Sequence, residues 1–202
     1  MIPDDVHDVS ERWSQWRADT DLEEYYTRWR RLEASGRSPH GEADFIASLH
    51  PTSVLDAGCG MGRVAIELHR RGIEVVGVDL DDDLLEFARR SQPSMQWVHA
   101  DLATMSLGRR FDLVAMPGNV MVFCRPQDRP AIIDNAVAHL EDEGWLVAGF
   151  ELQVGPGAVS LSQYDEMCAV AGLEPVSRWA TWDADPYHDG LYAVSVHRRV
   201  RR

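Results

Sequence analysis

Three carboxylates and three glycines stand at intervals that can do chemistry. Asp56 lies in an apolar run, Val54-Leu55-Asp56-Ala57, that leads into Gly58-Cys59-Gly60-Met61-Gly62. Asp79 ends a second apolar run, Val75-Val76-Gly77-Val78-Asp79, and Asp101 follows a third, in His99-Ala100-Asp101-Leu102. The glycines let the backbone take positive φ and pass close to a ligand. The helix that begins after them offers free N–H groups to a negative group. A carboxylate at the end of a second strand can accept two hydrogen bonds from a ribose diol. One after the third strand can accept from an exocyclic adenine amine. Asp56, beside the turn, repels a pyrophosphate and suits a cation. The three acids together match a ligand with a positive centre, a ribose and an adenine.

The spacing of the glycines separates this site from its neighbours in chemistry. A dinucleotide turn reads G-x-G-x-x-G; here Arg63 stands at the third glycine position and Gly62 falls one place early. The chain contains no lysine, all 20 basic residues being arginine. That excludes a phosphate loop ending in Gly-Lys-Ser/Thr, a Schiff-base lysine and a Tyr-x-x-x-Lys pair. A nicotinamide-dependent oxidoreductase is therefore the weaker alternative. A net charge of −13 disfavours broad nucleic-acid binding. The basic end His197-Arg198-Arg199-Val200-Arg201-Arg202 runs against that charge and reads as a frayed terminus. Cys59, Cys124 and Cys168 are odd in number and lack CxxC spacing, which fits a reducing cytoplasm. The start of the chain lacks the basic and apolar regions of a signal peptide, and no apolar run approaches membrane-spanning length, so no membrane is expected.

The elements that must position these residues follow from periodicity. Strand-like segments at 53–57, 74–79, 95–99, 111–116 and 145–151 alternate with helix-like stretches at 62–71, 81–91 and 127–141. Such alternation predicts a mainly parallel sheet with helices on both faces. Asp81 is placed to cap a helix, and Gly72 and Gly144 to end helices. A helix from Ser160 to Ala171 precedes two extended segments, about 174–182 and 191–198, joined by a polar link. Before the core, residues 8–35 read as helical. Leu22, Tyr25, Tyr26, Trp29 and Leu32 share one face, with Trp13 and Trp16 on a preceding segment. The expectation is one domain over 1–202: a helical cap at 1–40 and an α/β core at 41–202.

Over residues 41–200 these features resemble the class I S-adenosylmethionine-dependent methyltransferases. Val54 to Gly62 looks like the family's first motif, Asp79 like its ribose-binding acid with Leu80 beside the adenine, and Asp101-Leu102 like its adenine-edge motif. Phe111-Asp112-Leu113-Val114 looks like the fourth strand, whose end faces the transferred methyl group. The resemblance implies a Rossmann-like three-layer sandwich of seven strands, the last antiparallel and inserted between the fifth and sixth. It implies S-adenosyl-L-methionine as cofactor, held by Asp56, Gly58, Cys59, Gly60, Gly62, Asp79, Leu80, Asp101, Leu102, Met116, Gly118 and Asn119.

The N-terminal tryptophans, Pro39-His40-Gly41-Glu42-Ala43 and Ala180-Thr181-Trp182-Asp183 are similar to small uncharacterised bacterial members, which brings no substrate. Met116-Pro117-Gly118-Asn119 departs from the Asn/Asp-Pro-Pro-aromatic motif of the branches that methylate adenine N6 or glutamine. A small-molecule acceptor is therefore expected, with a non-catalytic S-adenosylmethionine-binding protein as the alternative. Should the acceptor need a base, His40, Tyr187, His188 and Asp183 are the candidates. Arg37 is a candidate partner for a carboxylate. Tyr25, Tyr26 and Trp29 form either a packing face or a lid over the cofactor. Asp183, Asp185, His188 and Asp189 read as a solvated turn rather than a metal site; no metal is expected. The oligomeric state is not legible.

Overall fold

A computed structural model describes residues 9–35, 39–152 and 157–201, the side chains at 29, 30, 33 and 34 aside. The core begins with α3 (Gly41–Ser48), preceded by α1 (Glu11–Asp19) and α2 (Leu22–Ala34). It continues through β1 (Ser53–Ala57), α4 (Arg63–Arg70), β2 (Glu74–Asp79), α5 (Asp82–Ser91), β3 (Gln96–His99) and β4 (Phe111–Met116). After α6 (Val120–Phe123) and α7 (Arg129–Ala138) come β5 (Leu140–Glu151), α8 (Leu161–Val170), β6 (Leu173–Trp179) and β7 (Tyr192–Arg199). The strands form one sheet in the order β3-β2-β1-β4-β5-β7-β6. Pairing is parallel from β3 to β5, and β7 runs antiparallel to both β5 and β6. This is the expected seven-stranded Rossmann-like sheet, its last strand inserted between the fifth and sixth.

The period of two along the strands divides the core between the two faces of the sheet. Leu113 and Ala115 of β4 pack with α3 and α4, through Ala43, Ile46, Val64 and Leu68. Val114 and Met116 face the opposite side, with Ile132, Ile133 and Ala136 of α7 and Tyr164 and Cys168 of α8. Asp112, just before them in β4, accepts from Thr52 N (2.8 Å) and Ser53 N (3.0 Å) and so fixes the start of β1 against β4. Trp97 of β3 fills the space beside the glycine turn. A Cβ on Gly62 would lie 2.4 Å from its Cη2, and one on Gly77 2.4 Å from its Cζ3.

Several boundaries differ from the sequence reading. The helix expected to run to 141 stops at Ala138, because Leu140 already pairs with Phe111 and is fully buried. Gly144, expected to end that helix, lies instead inside β5. There the register with β4 shifts and Glu143 takes φ 64°. A Cβ at 144 would stand 3.1 Å from Asp112 O, so close approach of backbone explains this glycine. The basic end is not frayed at its start. His197, Arg198 and Arg199 complete β7, His197 buried and the Arg199 guanidinium donating to Val137 O and Leu140 O. Asp81 and Gly72 behave as expected. Asp81 caps α5 through Asp83 N (3.0 Å) and Leu84 N (3.2 Å), a contribution of about 1 kcal/mol. Gly72 follows α4 at φ 85°.

Candidate functional site

Asp56, Asp79 and Asp101 come together at the C-terminal ends of the parallel strands, where α/β sheets bind ligands. Between β1 and α4 the chain turns through Gly58 (φ 81°), Gly60 (φ 53°) and Gly62 (φ 77°). Gly58 N and Cys59 N both donate to Val78 O, which ties the turn to β2 (2.8 and 3.0 Å). A Cβ on Gly58 would overlap Val120 Cγ2 at 2.5 Å; one on Gly60 would meet only Leu84, at 3.9 Å. The middle of the turn therefore faces open space, while its two ends are packed.

Asp79 makes that turn rigid. One oxygen accepts from Gly60 N (2.7 Å) and the other from Asp81 N (2.9 Å). Burial pushes its carboxyl up to about 6, against the pull of those N–H groups. Asp56 is fully buried. Its Oδ2 accepts from Ala65 N in the first turn of α4 (3.1 Å), while its Oδ1 meets no donor among the described residues. Burial lifts this carboxyl to about 7; the Ala65 N–H and Arg63 oppose the rise, and Asp79 and Glu42 add to it. Asp101 accepts from Ala103 N (2.8 Å). Asn135 Nδ2 holds the same loop by donating to Leu102 O and Met105 O.

Past β4, Gly118 and Asn119 are both left-handed, at φ 72° and 68°. Asn119 Oδ1 accepts from Glu151 N (2.8 Å), which joins the ends of β4 and β5. Arg63 forks onto Glu42, one bond of 3.0 Å, so the start of α3 is clamped to the start of α4. The thiol of Cys59 sits inside the turn, and burial pushes it well above the ordinary range, so it is a space-filling group.

The cap closes the site from above. Trp13 stacks on Trp16 (4.9 Å) and meets Phe123 edge-on (5.5 Å); Tyr25 meets Trp16 edge-on (5.5 Å). Together with Leu22 and Tyr26 they pack on Met61 of the turn and on Leu84 and Phe87 of α5. Ser10, the N-cap of α1, donates to Phe123 O. Arg17 donates to Asp81 (2.9 Å) and Asp83 (2.6 Å). Beneath the cap lies a cavity of about 1210 Å³, beyond the ~300–1,000 Å³ of an ordinary small-molecule site.

Of the expected cofactor residues, Asp56, Gly58, Cys59, Gly60, Asp79, Leu80, Asp101, Leu102, Gly118 and Asn119 line this cavity. Gly62 and Met116 stand one layer back, under Trp97 and in the core. The four candidate bases are not in its wall. His40 precedes α3, its Nε2 3.8 Å from Glu67 on α4. Asp183, Tyr187 and His188 belong to the link between β6 and β7, where Asp183 lies beside Gly41. Arg37 falls outside the described residues. Among the described residues no group of His, Cys, Asp and Glu is arranged to hold a metal. Sequence reasoning missed Arg12, Arg28, Glu42 and Glu151 in the wall, as well as Arg17. Residues brought in by a separate cap or by long-range pairing leave no local spacing signal.

A family model described as a methyltransferase domain matches residues 54–144. A TehB-like S-adenosylmethionine-dependent methyltransferase from Corynebacterium glutamicum is 33% identical, with a TM-score of 0.79, covering 88% of this chain and 97% of that one. The dTDP-3-amino-3,6-dideoxy-alpha-D-glucopyranose N,N-dimethyltransferase of Streptomyces fradiae is 30% identical over 122 residues, 57% of this chain and 48% of that protein. CalS10, an amino pentose methyltransferase from Micromonospora echinaspora solved with S-adenosylmethionine bound, shares the fold. Its TM-score is 0.71 at 19% identity, covering 90% of this chain and 98% of that one. The matches to the first curated relatives span 34% to 48% of those proteins' length.

Proposed function

The chain belongs to the S-adenosylmethionine-dependent methyltransferases, and from that premise we propose that it methylates a small-molecule acceptor held between the strand ends and the N-terminal cap. The observation that carries this reading is the buried acid pair, Asp56 and Asp79, on either side of an open glycine turn. Asp56 Oδ1 is buried and meets no donor among the described residues. Such an oxygen is costly unless a ligand supplies a donor, and a cationic amino group suits it. Asp79 already spends its oxygens on Gly60 N and Asp81 N, yet each carboxylate oxygen can accept again, which suits a diol. Gly60 leaves room for the ligand where a side chain would intrude.

When bound, S-adenosylmethionine supplies an electrophilic methyl carbon on a good sulfonium leaving group. The work left to the chain is alignment and exclusion of water. In this reading Asp56, Asp79 and Asp101 fix the cofactor at three points. The Asn119 side chain keeps the ends of β4 and β5 together beneath the acceptor. Trp13, Trp16 and Tyr25 cover both ligands. A small acceptor is supported by the roofed cavity, whose volume exceeds an ordinary single-ligand site. It is also supported by the dTDP-linked amino sugar named for the Streptomyces fradiae relative. A net charge of −13 weighs against a nucleic-acid acceptor. Three cysteines without a disulfide suit a reducing cytoplasm. No helix among the described residues is long and apolar enough to cross a membrane.

Calorimetric titration with S-adenosylmethionine tests the reading. Saturable one-to-one binding is expected. Folded protein that takes up none at millimolar ligand would refute it. A screen of small amines, alcohols and acids for production of S-adenosylhomocysteine then identifies the acceptor class.

A further inference from the structure

We propose that Arg17, on the cap, is a positioning residue for the cofactor acid Asp79: by holding Asp81 and Asp83 it keeps Asp79 able to grip the ribose when the cap is down. This rests on the reading that Asp79 binds the ribose diol.

The connection is short and specific. Arg17 donates through Nε to Asp81 Oδ2 (2.9 Å) and through Nη2 to Asp83 Oδ2 (2.6 Å). The backbone N–H of the same Asp81 donates to Asp79 Oδ1 (2.9 Å). The other oxygen of Asp81 caps α5. One residue thus joins the three: its carboxylate holds the cap and the start of α5, and its N–H holds the ribose acid. Arg17 is half-buried and Asp81 nearly buried, with side chains 31% and 12% exposed, so this pair is screened less than a surface pair.

Charge gives the arrangement a direction. The sequence Asp79-Leu80-Asp81-Asp82-Asp83 puts four acids in five residues. Asp79 is further faced by Asp56 across the turn, by the thiol of Cys59, by that of Cys124, which Asp101 from the loop after β3 also faces, and by His99, its register partner. The imidazole of His99 is engaged with Leu80 O (2.8 Å). Arg89 on α5 is engaged with Asp82 (2.9 Å). Among the described residues, Arg17 is the cation within ion-pair distance of Asp81 and Asp83.

Asp79 already titrates at about 6, burial being the main cause and Asp81 a contributor. Removing Arg17 leaves Asp81 and Asp83 uncompensated and favours a proton on Asp79 near neutrality. A protonated Asp79 accepts poorly from a diol. Placing the cation on the lid rather than on the core ties the grip on the cofactor to the position of the cap.

The test is the dissociation constant of S-adenosylhomocysteine from about pH 5.5 to about pH 8.5 for wild type, Arg17→Gln and Arg17→Lys. Wild type is expected to bind with constant affinity at high pH and to weaken as Asp56 takes a proton near 7 and Asp79 near 6, the Asp79 inflection being the one that Asp79→Asn removes. In Arg17→Gln the inflection moves up by about one unit, and affinity returns to within about twofold of wild type at the alkaline end. Arg17→Lys, which keeps the charge but not the fork, moves the inflection less than Arg17→Gln does. In an Asp79→Asn background, Arg17→Gln is expected to have no further effect on affinity. Uniform weakening of Arg17→Gln at every pH, or an unmoved inflection, reduces Arg17 to a cap contact and overturns the proposal alone. A wild-type profile that Asp79→Asn leaves unchanged overturns the assignment of Asp79 and the proposal with it.

Discussion

Replacing Asp79 with Asn separates a ligand-binding acid from a merely structural one. The side chain keeps its volume, but one of its two positions becomes an NH2. Gly60 N and Asp81 N both donate to Asp79, so one of these N–H groups then faces a donor. A lost backbone partner of this kind costs about 1–3 kcal/mol. Against it stands the relief of a buried charge. Moving the carboxyl from 3.8 to about 6 means that ionisation in the fold costs ~3 kcal/mol, which the neutral amide no longer bears. The two effects nearly cancel, so the melting temperature of the ligand-free protein is expected to stay within a few degrees of wild type. Affinity has no such compensation. The charge-assisted bonds to the diol are lost, for about 1–3 kcal/mol, or about 5- to 150-fold weaker binding. Calorimetry with S-adenosylhomocysteine at about pH 8, where wild-type Asp79 is ionised, measures this directly. Unchanged affinity with a large fall in melting temperature would refute the reasoning, because it would make Asp79 a turn-holding acid and nothing more.

The ligand-free protein should lose stability as pH rises from about 4 to about 7. Across that window folded Asp56 and Asp79, raised to about 7 and about 6, hold more protons than their unfolded counterparts; denaturant melts against pH would show the slope, and a flat profile would count against the burial of these charges. Gly62→Ala should cost about 2–4 kcal/mol, from the left-handed φ of 77° and the Trp97 ring 2.4 Å from the new Cβ, as read by chemical denaturation. Trp13→Ala removes the stack on Trp16 and the edge contact with Phe123. Hydrogen exchange should then quicken in α1 and α2 while the amides of β1 and β4 keep their protection.

The sheet was legible because buried parallel strands are short apolar runs, and β1, β2 and β4 lie at the expected residues. The glycine turn and the place of its three acids at the strand ends were legible because a glycine-rich strand-to-helix turn has strict local spacing. The failures have different causes. The helical pattern of α7 runs on into Leu140, but pairing with Phe111 takes Leu140 into β5, a contact no local window contains. Gly144 satisfies the C-terminal rule for helices and serves a different need, room for the backbone of Asp112. The tail from His197 looked like loose charge because its apolar partners, Tyr164 above all, lie more than thirty positions earlier. Arg17 is one of 20 arginines in an acidic chain, and only the fold of the cap over α5 singles it out.

The indole of Trp97 occupies the space of two missing side chains, at Gly62 on the turn and at Gly77 on β2. That sharing constrains how this site can diverge. With the tryptophan in place, neither glycine can acquire a side chain without collision. With either glycine unchanged, a smaller residue at 97 leaves a void against the glycine turn. The three positions are therefore epistatic. A descendant can reach a bulkier residue at 62 or 77 only after position 97 has shrunk, and the intermediate carries the cavity. The order of substitutions, and not only their identity, is built into the packing beneath the glycine turn.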